Sequence, residues 1–134
     1  MYLLDTDTVS ALMRPAASPR LMARLSTVPN ALVATSSITL GEITYGAYRV
    51  PDRTQEIIES LEGVLPRMGV ASFDAEAGRR YGELRAMLEQ RGTLIGDADM
   101  RIASIALARG LTVVTGNVRH FQQVPGLSVE NWLA

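Results

Sequence analysis

The alternation of strand-like and helix-like segments predicts an α/β fold: one three-layer α/β/α domain over residues 1–134, built on a five-stranded parallel sheet. Three observations lead there. The clearest strand candidates, Tyr2 to Leu4, Leu32 to Thr35 and Leu111 to Thr115, are continuous apolar or β-branched runs, as expected of strands buried on both faces. Helically spaced apolar residues separate one such run from the next, which fits crossover helices and parallel pairing. A length of 134 residues suits one core that removes roughly two-thirds of the unfolded surface from water.

In chain order, the first strand stops abruptly on Asp5-Thr6-Asp7-Thr8. A short helix is expected from Thr8 to Met13, ended by Pro15, and another from Arg20 to Leu25 ahead of Pro29. After the second strand, Ser36 and Ser37 offer capping hydroxyls for a helix beginning near Thr39, with Leu40, Ile43 and Ala47 as its apolar stripe. Ile57, Ile58, Leu61 and Leu65 keep helical spacing until Pro66. Gly69 to Phe73 is a third strand candidate. Asp74 then caps a long amphipathic helix that Gly92 terminates. Asp99 to Arg109 is apolar on most sides and suits a helix packed deep against a sheet, stopped by Gly110. Leu127 to Val129 supplies a fifth strand candidate. No repeat, low-complexity tract or linker interrupts the pattern.

Composition narrows the chemistry. The chain has no cysteine, so disulfides and thiolate metal sites are excluded, and any metal must sit on oxygen or on the lone imidazole of His120. A formal net charge of −1 argues against broad electrostatic capture of nucleic acid. All 13 basic residues are arginine, a bias expected of codon composition. No apolar run approaches the ~20 residues that span a bilayer, and no basic flank precedes the first aspartates, so a cytoplasmic protein is expected, with no membrane contact.

The acids fall at telling places. Asp5 ends the first strand, Glu42 is expected in the first turn of the helix after the second, and Asp97 and Asp99 open the helix before the fourth. Strand ends and the starts of following helices usually share one rim of a parallel sheet. Two unit charges ~4 Å apart repel by about 4 kcal/mol at an effective dielectric near 20, so clustered carboxylates call for a divalent cation. Oxygen-only ligands favour Mg²⁺ or Mn²⁺. Asp5, Glu42 and Asp99 are the candidate ligands. Asp97 is read either as a helix cap or as a further ligand.

These pieces resemble the PIN-domain ribonucleases, in particular the toxins of VapBC-type toxin–antitoxin pairs. The resemblance rests on Leu4-Asp5-Thr6-Asp7, on Glu42-Ile43-Thr44-Tyr45-Gly46, on Ala98-Asp99-Met100-Arg101-Ile102-Ala103, and on Val114-Thr115-Gly116-Asn117 with Phe121, four motifs in the family order. It implies strand order 3-2-1-4-5 and a Mg²⁺- or Mn²⁺-dependent endoribonuclease acting on RNA, often tRNA or rRNA. On the matching positions, Asp5, Glu42 and Asp99 would be the acidic ligands, with Thr115 and Asn117 lining the pocket. It also implies neutralisation by a cognate VapB-type antitoxin, contact with operator DNA only through that antitoxin, and a homodimer. The chain departs from the family at the fourth acid. Asn117 or His120 stands where relatives often carry Asp or Glu, so one metal ion is expected rather than two.

Two alternatives compete. Asp5-Thr6-Asp7-Thr8 also looks like the Asp-x-Asp-x-Thr of haloacid-dehalogenase-type phosphatases, with Asp5 as nucleophile, but that family ordinarily holds phosphate with a lysine and this chain has none. The second is a catalytically weak partner in a DNA-binding repressor complex.

Overall fold

In a computed structural model that describes residues 1–134, β1 (Tyr2–Leu4) occupies the middle of a five-stranded sheet. The order is β3-β2-β1-β4-β5, with β2 Val33–Ser36, β3 Gly69–Ala71, β4 Thr112–Val114 and β5 Val129–Glu130. Every pairing is parallel, and Tyr2 lies opposite Val33 on one side and Thr112 on the other. The fold class and strand order are those expected from the sequence.

Successive side chains of a strand point to opposite faces, so β1 feeds two cores. Leu3 and Val113 face a core shared with Leu84 and Leu88 of α5 (Ala75–Arg91), Ile102 and Ile105 of α6 (Asp97–Arg109), and Phe121 of α7 (Val118–Phe121). Leu4 and Val114 face the other, with Val9 of α1 (Thr6–Met13), Leu21 of α2 (Pro19–Ser26), Ile43 of α3 (Ser37–Tyr48) and Leu61 of α4 (Thr54–Val64). Burial on both faces explains why the central strands read as unbroken apolar runs.

Local signals set the helix ends. Asp74 accepts the Ala77 N–H at the start of α5, and Gly92 (φ 67°) and Gly110 (φ 66°) close α5 and α6 in the left-handed conformation that favours glycine. Four boundaries shift against expectation. Helix α1 starts at Thr6, because Asp5 is its cap, and α3 starts at Ser37 with Ser36 as cap, which moves Glu42 from the first turn to the second. Helix α6 starts at Asp97 with Gly96 at the capping position and no side-chain cap, so Asp97 is a first-turn residue and not a cap. The Arg119-His120-Phe121 stretch, given no element from the sequence, is part of the short helix α7, held because Phe121 is fully buried. No helix is long and apolar enough to cross a membrane.

Candidate active site

The carboxyl end of β1 delivers Asp5 into a buried position, 3% exposed. Its backbone still belongs to the sheet, the Asp5 N–H donating to the Val114 carbonyl at 3.1 Å. Its side chain belongs to the helix that follows, one oxygen accepting the Thr8 N–H at 2.9 Å. The other oxygen accepts the Thr115 hydroxyl at 2.5 Å. Two further buried hydroxyls brace this point: Thr8 of α1 donates to the Val114 carbonyl of β4 at 3.0 Å, and Thr35 of β2 to the Leu4 carbonyl of β1 at 2.9 Å. Asp5 is therefore held by donors from two directions, with no rotamer freedom to spare.

No arginine reaches it: the ion pairs of the protein involve neither Asp5 nor Glu42. Burial pushes the Asp5 carboxyl above its ordinary range, against the lowering effect of the Thr115 and Thr8 hydrogen bonds, and the nearby Asp7 charge adds to the upward push. A buried carboxylate without a cation is costly unless something positive arrives.

The other candidates surround it. Thr115 accepts the Asn117 N–H at 2.8 Å, which fixes the turn into α7. The Asn117 amide nitrogen lies 2.8 Å from His120 Nδ1, and the same ring nitrogen lies 3.2 Å from Asp99 Oδ2. Asp5, Thr115, Asn117, His120 and Asp99 thus form one chain of contacts between β1, β4, α7 and α6. On the opposite side, the Thr6 hydroxyl donates to Glu42 Oε1 at 2.5 Å and also contacts the Thr39 hydroxyl at 3.2 Å, linking α1 to α3. Asp97 stands apart: its carboxylate is taken by the Arg101 guanidinium at 2.8 Å and by the Tyr81 hydroxyl, and these partners hold it below the usual carboxylate range, Tyr81 contributing most. Its place at the rim as a further ligand is replaced by an α5–α6 clasp.

The structure gathers no three acidic or imidazole groups closely enough to hold an ion between them. The donor chemistry nonetheless suits Mg²⁺ or Mn²⁺. Such ions take hard oxygen ligands and are commonly held by one or two carboxylates together with waters and substrate phosphate oxygens, without a full protein cage. The buried, uncompensated Asp5 is the oxygen donor that such an ion would relieve.

Two contacts escaped the sequence reading. The Thr6–Glu42 bond joins residues 36 positions apart, which no local signal announces. His120, weighed as a ligand or a surface residue, is an Asp99 neighbour with its side chain 48% exposed.

Comparisons with known proteins place the chain in a family. The PIN domain family model matches residues 2–127. The chain is 35% identical over 133 residues to the "tRNA(fMet)-specific endonuclease VapC" of Salmonella typhimurium, covering 98% of this chain and 97% of that protein. It is 41% identical over 103 residues to "Ribonuclease VapC2" of Rickettsia felis, covering 77% and 76% respectively. Among solved structures, VapBC2 from Rickettsia felis bound to a DNA fragment from its promoter superposes with a TM-score of 0.90 at 34% identity, over 98% of both chains. DNA-bound VapBC from Salmonella typhimurium superposes equally well, at 0.90 and 34%, over 98% of this chain and 97% of that one.

Proposed function

The chain belongs to the PIN-domain family, and from that premise we propose that it is the ribonuclease toxin of a VapBC-type pair, hydrolysing phosphodiester bonds of RNA and neutralised by a cognate antitoxin. The observation that carries the reading is Asp5: a buried carboxylate at the carboxyl end of the central strand, met by hydroxyl and amide donors and by no arginine. The endonuclease and ribonuclease names of relatives at 35% and 41% identity support the activity. The relatives that bear the VapBC name support an antitoxin partner, and the two DNA-bound ones support contact with operator DNA through that partner. A homodimer is proposed from the family resemblance, and Tyr45 and Tyr48, exposed and three positions apart on α3, are residues available to such a contact. The phosphatase alternative gains nothing from these relatives.

The division of labour follows from the contacts. Asp5 would hold a Mg²⁺ or Mn²⁺ ion, and Glu42 and Asp99, which do not gather with it closely enough to share the ion directly, would reach it through its bound waters. The chemistry supplied by such an ion, when bound, is charge neutralisation at the phosphate and an acidified water. Thr115 orients Asp5, and Thr6 orients Glu42. Asn117 sits between Thr115 and His120 and so fixes the imidazole beside Asp99, on the side where substrate oxygens would approach. Preorganised groups of this kind cost no rearrangement when the phosphate arrives.

The test is direct. Purified protein incubated with tRNA and Mg²⁺ is expected to cut it, with no cutting in EDTA and none by Asp99→Asn. Asp97→Asn, which disturbs only the α5–α6 clasp, is expected to retain cleavage within about twofold, as surface ion pairs contribute little. An absence of cleavage with any divalent ion, together with operator binding as a complex, would replace the enzyme with the repressor alternative.

A further inference from the structure

Beside Asn117 a groove of about 520 Å³ runs along α1. Asp7, Ser10 and Arg14 line one wall; their spacing of three and four residues places them on one helix face. Gly116, Asn117 and Leu133 line the other. A side chain at position 116 would crowd the wall, since a Cβ there would meet Leu133 Cδ1 at 3.1 Å. The two ends of the groove differ electrically. Asp7, exposed, sits at the end where α1 begins against Asp5, and Arg14, also exposed, sits just past the other end, about 10 Å away along the helix axis. Arg14 makes no ion pair, so its planar guanidinium fork is free for two oxygens of an anion such as phosphate.

We propose that this groove takes the nucleotide next to the bond that is cut, with that nucleotide's outer phosphate on Arg14 and its base against Leu133. The proposal rests on the ribonuclease reading. The groove shares Asn117 with the candidate site, so a chain whose cleaved phosphate lies at the carboxylates has this groove directly beside it. Asp7 repels phosphate from the near end, which leaves Arg14 as the one cation along this wall to receive the next one. A pocket with an apolar side chain on one wall and a cation at one end matches a nucleotide, which offers a flat apolar base and an anionic link.

The experiment uses initiator tRNA as probe. In the Asp5→Asn background, which binds without cutting, Arg14→Ala is expected to weaken binding about tenfold. It is also expected to reduce the slope of log affinity against log salt by about 0.7 to 0.9, the loss of one phosphate contact. With Asp5 restored, Arg14→Ala raises KM about tenfold with kcat within twofold, and Ala16→Trp, which fills the groove from its loop side, raises KM too. Arg79→Ala, an exposed and unpaired arginine on α5, serves as the control for total charge and moves none of these. Binding, salt slope and KM unchanged in both groove variants would overturn the proposal and leave the groove to a protein partner. A parent protein that cuts no RNA would overturn the ribonuclease reading instead, and the binding assay would still report on the groove.

Discussion

Asp5→Asn is expected to abolish RNA cleavage and at the same time to raise the melting temperature measured in EDTA. The loss of activity should be about 100-fold or more, since even groups that only orient metal ligands are worth 10–100-fold. The gain in stability has a separate origin. Asparagine still offers an oxygen to the Thr8 N–H, and it removes a charge that burial opposes. A gain of ~1 kcal/mol would appear as a few degrees in a domain of this size.

The pH dependence carries the sign. Burial raises the folded-state pKa of Asp5 above its ordinary 3.8, so the folded protein retains a proton that the unfolded chain releases. Stability from this group is fully present below the unfolded value and is lost as pH rises through the folded one. The advantage of Asp5→Asn should therefore be small near pH 4, widen as pH rises, and level off above the folded pKa. Added Mg²⁺ should narrow it, because an ion bound to the carboxylate stabilises the folded parent. A variant that melts lower than the parent at neutral pH in EDTA would show that the charge is welcome where it stands, and that the site needs no cation.

Phe121→Ala is expected to cost about 3–5 kcal/mol, a large part of the 5–15 kcal/mol typical of a whole domain. Phe121 is fully buried in the core shared by α5, α6 and β4, and it is the anchor of the four-residue helix α7. Neighbouring side chains have little room to close the cavity. The check is urea unfolding: the midpoint should fall with the slope unchanged. The same anchor holds Asn117 and His120 beside Asp99, so any folded fraction of the variant should cut RNA more slowly than its concentration allows. A loss of stability below ~1 kcal/mol would mean that α7 is held by something other than this ring.

How much of this was written in the chain follows from the range of the interactions. Strand β1 and the long helix α5 with its Asp74 cap and Gly92 stop were legible, because apolar runs, caps and glycines act on residues next to them, whereas the strand order came only as what the family resemblance implies. Helix α7 was not, since four residues carry no periodicity and Phe121 is helical only because the core receives it. What the sequence left open at the start of α6 was the part played by Asp97, a first-turn residue and not the cap, because Gly96 holds the capping position without a side chain.

The sequence by itself determined the fold class, the family and the acids worth attention, since Asp5 and Asp99 stand where a strand ends and a helix begins and Glu42 opens one of the four motifs. Only the tertiary structure decided what each acid touches. It gave Asp5 to Thr8 and Thr115, Glu42 to Thr6, Asp99 to His120, and Asp97 to Arg101 and Tyr81. A carboxylate's charge state and role depend on its depth and on donors brought from distant parts of the chain. Those are set when the two faces of the sheet are packed, and not before.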